Sequence, residues 1–235
     1  MDLSLGLSGR AAHDRNQDET RPGRCKRHRE ENLVETIYTP DQNELRRISE
    51  LPTEPALRQA AAFLADLVRD PFIQDSLILP LIQEAEGEKD WYVARRYQTE
   101  DGAYSLKVFV WPSGTGTRIH DHSSWGAYCC ASGAVLEERY QRLDDGSRPG
   151  HARLEKIWQL WWSPEDGAST VLPGDDGIHR VGNPGDEPAV SVHLYGPRTG
   201  EVDGRDYDPS REYVCDRQEG EAEKGPGQLN DQEED

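Results

Sequence analysis

Two histidines, His120 and His122, stand two positions apart in the stretch TRIHDHSSWGAY, residues 117 to 128. In an extended strand they share one face while Asp121 points to the other, a geometry suited to gripping a metal ion. Such a pair also arises by chance, so other residues must carry the case. His179, in DDGIHRVGNP, follows a turn and could bring a third imidazole from a neighbouring strand. By itself it reads equally as a loop histidine satisfied by local hydrogen bonds. Imidazole suits Fe, Zn, Cu or Ni alike, which leaves the metal open. In AVSVHLYG, Ser191, His193 and Tyr195 alternate with Val190, Val192 and Leu194, placing three polar groups on one strand face. Inside a protein they would need to bond to one another or to a ligand, as in a Ser to His to Tyr relay. On an edge strand they would face water.

The elements that must hold these residues are short β-type runs after Trp91: YSLKVFVW, RIHDH, GAYCC, VLEERYQRL, LEKIWQLWW, STVL, IHRV and AVSVHLYG, separated by turns such as PSGTGT, DDG and PGDDG. Many short strands with frequent turns predict an antiparallel barrel or sandwich, and a small barrel encloses one ligand-sized cavity. Upstream, residues 51–88 read as a helical cap. Thr53 is placed to cap a helix ahead of Pro55, with Leu57, Ala60, Ala61, Leu64, Leu67 and Val68 at three- and four-residue steps. Asp70-Pro71 breaks that helix, and Pro80 obscures the form of the apolar segment that follows. Residues 1–50 and 216–235 read as flexible tails around a folded unit of 51–215. Trp158, Trp161 and Trp162 are expected in barrel core and surface packing, and His151 in a loop.

The 235 residues carry a formal net charge of −18, which argues against nucleic acid as a main partner because a polyanion needs a basic surface. The basic cluster RPGRCKRHRE, at positions 21 to 30, is read as part of a tail. No apolar run is long enough for a membrane helix, and the opening MDLSLGLSGRAAHDRNQDE is too polar for a secretory leader. A cytoplasmic monomer is expected. The four cysteines, Cys25, Cys129, Cys130 and Cys215, form no disulfide framework, and adjacent Cys129 and Cys130 on a strand would face opposite ways.

The IHDHSSWG, IHRVGN and SVHLYG stretches, in this order, resemble the cysteine dioxygenase family of thiol dioxygenases over roughly residues 55 to 200. The resemblance implies a mostly β cupin fold, a jelly-roll barrel with N-terminal helices, holding one mononuclear non-haem Fe(II) on His120, His122 and His179. It implies that a small thiol, L-cysteine or 3-mercaptopropionate, and O2 combine to give a sulfinic acid. It also implies a relay in which Ser191 orients His193 and His193 holds the catalytic phenol of Tyr195.

The sequence departs from the mammalian-type pattern in one respect. Members of that branch carry a cysteine five residues after the second motif histidine, able to form a thioether to the tyrosine. Here that position is Ala127, so Tyr195 is expected unmodified, and Trp125-Gly126 resembles the bacterial branch, which includes 3-mercaptopropionate dioxygenases. A substrate carboxylate calls for an arginine, whose fork donates two parallel hydrogen bonds. In VARRYQ the expected residue is Arg95, with Arg96 its neighbour; Arg198 and Arg205 match a later arginine of some relatives poorly. The competing readings are a metal-binding cupin that senses or stores a small molecule, and a different metallo-cupin enzyme. Many of the latter add a carboxylate ligand soon after H-x-H, where this chain has Ser123 and Ser124 and no acid before Glu137.

Overall fold

The computed structural model describes residues 38–199 and 202–217. Its helices are α1 (Gln42–Ser49), α2 (Thr53–Arg69), α3 (Pro71–Ile73) and α4 (Leu79–Glu84), with a π-helical segment Gln74–Ile78 joining the last two. The strands are β1 (Tyr92–Gln98), β2 (Ser105–Trp111), β3 (Thr115–Gly116), β4 (Ile119–His120), β5 (Gly126–Ser132) and β6 (Val135–Arg142). They continue with β7 (Leu154–Trp162), β8 (Ala168–Val171), β9 (His179–Asn183), β10 (Ala189–Tyr195), β11 (Arg205–Asp208) and β12 (Tyr213–Asp216).

The strands form two antiparallel sheets, ordered β1-β2-β10-β5-β8 and β12-β11-β4-β9-β6-β7, with β3 beside β9. This is the expected mostly β cupin barrel with helices ahead of it. β10 is the central strand of the first sheet, paired with β2 on one side and β5 on the other. The water-facing edge reading of Ser191, His193 and Tyr195 is therefore overturned, and both faces of β10 are covered. Val190, Val192 and Leu194 join Leu106, Val108, Val110, Ala127 and Cys129 in a core beneath the helices. Trp91, Phe109, Trp111, Tyr128, Cys130 and Val181 pack on the opposite, inner face. Cys129 and Cys130 thus face opposite ways, and both are free.

The helices exist because their stripes match that outer face. In α2 the buried positions are Ala56, Ala60, Leu64 and Val68, one per turn. Leu57 and Leu67 pack at its margin. Pro52 occupies the N-cap and Thr53 is the first helical residue, with no capping side chain; Pro55 tolerates this because the first turn lacks hydrogen-bond partners anyway. Asp70 ends α2 and accepts a hydrogen bond from the Phe72 N–H at 2.8 Å, starting α3. The π-helical segment precedes Pro80, whose ring and missing N–H an unbroken α-helix would not accommodate there.

Two expected boundaries shift. α1 lies within the segment expected to be a tail, yet Leu45 and Ile48 are fully buried in the outer core. At the other end Arg217 is buried and bonds Asp206 at 3.0 Å, so the folded unit runs past 215. The basic cluster, Cys25 and most of the two expected tails lie outside the described residues. β7 is an edge strand, leaving Trp158 and Trp161 exposed while Trp162 packs inward.

Candidate active site

β4 and β9 meet at a single pair, His120 opposite His179. The chain leaves β4 at once, yet His122 still turns to the same side: His120 Nε2 lies 3.1 Å from His122 Nε2, which lies 3.3 Å from His179 Nε2. All three residues are buried. Asp121 points away, as alternation predicts, and accepts from Arg205 Nε and the Tyr207 hydroxyl, both at 2.8 Å. This clamp ties the two-histidine segment to β11.

The outer nitrogens decide what the inner ones can do. His120 Nδ1 lies 2.8 Å from the Arg118 carbonyl, and His179 Nδ1 lies 3.2 Å from Glu137 Oε1. Carbonyl and carboxylate oxygens only accept, so both Nδ1 atoms carry the proton and both Nε2 atoms present lone pairs. Burial, and then nearby positive charge, push His120 and His122 well below the ordinary histidine range, keeping the rings neutral. At 3.1 and 3.3 Å the three Nε2 atoms either share the N–H of His122 in hydrogen bonds or, with that proton on His122 Nδ1, converge three lone pairs on one point. The donor set therefore fits a metal ion held by His120, His122 and His179.

Glu137 is the residue that motif reading passed over. It is fully buried, and beyond the His179 N–H it accepts hydrogen bonds from Arg139 Nε at 3.1 Å, Ser169 Oγ at 2.7 Å and Trp162 Nε1 at 3.1 Å. Burial pushes its carboxyl up, but the hydrogen bond from His179, then Arg139 and Ser169, outweigh it and hold the group well below the usual carboxylate range. An ionised carboxylate behind a ligand histidine fixes that ring's orientation and tautomer. Nothing in local spacing announces this role, because Glu137 and His179 meet only through the pairing of β6 with β9.

Ser191, His193 and Tyr195 are joined in series by hydrogen bonds. Ser191 Oγ lies 2.7 Å from His193 Nε2, and His193 Nδ1 lies 3.1 Å from the Tyr195 hydroxyl. Trp111 Nε1 donates to Ser191 Oγ at 2.8 Å, a link the sequence did not disclose. Burial keeps His193 neutral, with the positive groups around it acting in the same sense. A neutral ring has one N–H; Ser191 Oγ already accepts from Trp111, and where its own hydroxyl donates to Nε2 the ring N–H lies at Nδ1 and donates to the Tyr195 oxygen. The phenol proton is then free for the site. Burial, and then Asp203, hold Tyr195 above the ordinary phenol range, so the proton stays on it. The Tyr195 ring lies 4.9 Å from that of His122. Gly126, paired opposite Tyr195, makes room for it: a Cβ there would meet the ring at 3.1 Å. Ala127 faces the helical core instead, and neither residue offers sulfur to Tyr195.

The arginine expectation meets an irregularity. β1 pairs Val93 with Phe109 and Arg95 with Val108, skipping Ala94, and then Arg96 with Lys107. Val108 belongs to the outer core beneath the helices, so Arg95 lies on the wrong face, and its guanidinium bonds its neighbour's carbonyl, Ala94 O, at 2.7 Å. The extra residue rotates Arg96 onto the face of Lys107 and His193. Arg198 bonds Asp203 at 2.8 Å, and Arg205 is taken up by the Asp121 clamp.

Comparison with known proteins agrees with this geometry. The family described as cysteine dioxygenase type I matches residues 83–208, more than half of the chain. Cysteine dioxygenase type 1 of Danio rerio is 29% identical over 103 residues, covering 41% of this chain and 47% of that protein. The Homo sapiens protein of the same name is 28% identical over 99 residues, covering 41% and 46%. The chain thus matches about half the length of these curated relatives. Among solved structures, a cupin 2 conserved barrel domain protein from Salinispora arenicola is 16% identical, with a TM-score of 0.31, covering 45% of this chain and 73% of that one. His120, His122, His179 and the Ser191-His193-Tyr195 strand all lie inside the matched span, and the chain belongs to the cysteine dioxygenase type I family.

Proposed function

We propose that this protein is a thiol dioxygenase that converts a small thiol carboxylate and O2 into the sulfinic acid, with Fe(II) on His120, His122 and His179. The observation that carries the reading is the convergence of three buried imidazoles beside a phenol held by its own relay. The reaction RSH + O2 gives RSO2H; both oxygen atoms end on sulfur, four electrons leave it, and no further reductant is needed. Held by three neutral ligands, such an ion keeps its full charge, favours thiolate over thiol and supplies the redox chemistry that O2 requires.

The protein's own groups do the rest. Arg96 is the residue we assign to the substrate carboxylate, in place of Arg95, because β1 turns it to the site face. Tyr195 offers its proton toward the reacting atoms, and His193, Ser191 and Trp111 keep that proton pointed there. Phe109, Trp111 and Tyr128 wall the relay and exclude water. Buried, unpaired Cys129 and Cys130 accord with the reducing cytoplasm. The test is oxygen uptake by protein reconstituted anaerobically with Fe(II), alongside quantified sulfinate, on L-cysteine, 3-mercaptopropionate and cysteamine. We expect uptake matched by sulfinate and abolished in His179→Ala. Stoichiometric iron with no uptake on any thiol would instead favour a non-catalytic metal-binding cupin.

A further inference from the structure

β7 ends its sheet: it pairs with β6 on one side and with no other strand among the described residues. Its outer edge presents a row of backbone N–H and C=O groups able to receive another strand. Ile157, Trp158, Leu160 and Trp161 are all exposed. Four large apolar side chains within five consecutive positions are an unfavourable surface for a single molecule. Edge strands are ordinarily protected by charge or proline, yet from Ile157 to Trp162 this one has neither. The irregularity in its pairing with β6, at Ile157, lies at the start of that stretch.

The order of residues along β7 selects the occupant. Two copies of a chain of net charge −18 repel unless their contact is locally matched. β7 carries only Glu155 and Lys156, of opposite sign, and Lys156 is bound to Glu138 at 2.8 Å. In two antiparallel copies related by a two-fold axis, one residue faces its own counterpart. With Gln159 at that centre, Trp158 lies opposite Leu160 and Ile157 opposite Trp161, so each exposed apolar side chain meets another. The same register sets Arg153, just before the strand, toward Glu165, just after it, at both ends of the contact. Both are exposed; Arg153 pairs with Glu212 at 3.7 Å, and its fork retains N–H groups for a second carboxylate. Moving the centre to Leu160 would set Glu155 against Glu165, and moving it to Trp158 would set Glu155 and Lys156 against Trp161 and Leu160. The edge also adjoins the histidine cluster. Trp162 Nε1 donates to Glu137, and Arg139, which lies over the Trp158 ring, donates to the same carboxylate behind His179.

We propose that this protein, in place of the monomer expected from sequence, forms a two-fold dimer edge to edge through β7. Two copies of the β6-β7 sheet then join as one antiparallel sheet centred on Gln159, and each copy covers the wall behind the other's His179. The proposal stands whatever reaction the site performs. The test is sedimentation velocity of the full-length protein over a micromolar concentration series. We expect a dimer that dissociates on dilution, with Leu160→Lys and Trp161→Lys each weakening self-association about tenfold or more while leaving the circular dichroism spectrum unchanged. Gln159→Cys reads the register: facing its own counterpart, it should give a disulfide-linked dimer on mild oxidation, whereas Glu155→Cys and the wild type, with its own cysteines, should not. A wild type that is monomeric throughout overturns the proposal and leaves the edge to another occupant, such as a terminal segment of the same chain or an unlike protein. A dimer indifferent to both lysine variants, or one cross-linked through Glu155→Cys and not through Gln159→Cys, overturns it as well.

Discussion

At the scale of single residues, the site is built from groups whose ionisation the fold has chosen. His120, His122 and His193 are kept neutral and Glu137 ionised, and the direction of each hydrogen bond follows from those states. Lys107 carries the clearest cost. Its folded-state pKa of about 8 lies below the 10.5 of an ordinary lysine. Between those values the unfolded chain binds a proton that the folded protein lacks, so the contribution of Lys107 to stability rises with pH across that window. Below about 8 both states are charged and the full cost applies. Lys107→Met should therefore be more stable than wild type at pH 7, by about 2 kcal/mol, with the difference shrinking from pH 8 to 10.5. Paired urea unfolding at several pH values reads this directly, and a difference that stays flat would show that the ammonium is not strained.

At the scale of elements, one skipped residue in β1 decides which arginine faces the site. Counting alternation from Val93 places Arg95 inward; the irregularity at Ala94 adds one step and reverses the assignment. Arg96→Gln should raise KM for a thiol carboxylate about ten- to a hundredfold, the loss of a charge-assisted pair. Arg95→Gln should change it less than about twofold, since that guanidinium is held on the other face at its neighbour's carbonyl. Steady-state kinetics on the two variants decide the matter, and equal effects would mean that the register is misread.

At the scale of the molecule, the proposed function requires a chain of net charge −18 to admit an anion. Arg96, Lys107, Arg198 and Arg217 gather positive charge on one side of the relay, part of it taken up by Asp203 and Asp206 through Arg198 and Arg217. The helices contribute rigidity from outside: α2 seals the outer face of the sheet whose inner face carries the relay. Leu64, fully buried there, should cost about 3 kcal/mol when truncated to alanine, through lost burial and the cavity left behind. Chemical denaturation measures that loss, while metal bound per folded molecule should remain that of the wild type. A parallel loss of metal would mean that the helical layer shapes the histidine cluster as well as covering it. No helix among the described residues is long and apolar enough to cross a membrane.

Local pattern was enough to announce the β-rich barrel, the helical stripe of Ala60, Leu64 and Val68, the opposed Cys129 and Cys130, and the histidines and relay residues. These rest on periods of two and of about 3.6 and on short motifs, which neighbouring residues determine among themselves. Other features depended on contacts between distant segments. Glu137 reaches His179 only across β6 and β9, and Trp111 reaches Ser191 only across β2 and β10. Arg96 rather than Arg95 shares a face with Lys107 and His193 because a strand irregularity is set by its partner strand, and α1 is held in place because Leu45 and Ile48 find a core formed by residues far along the chain. Alternation revealed that Ser191, His193 and Tyr195 share a face; only the sheet order, with β10 at its centre, decided that this face looks inward rather than to water.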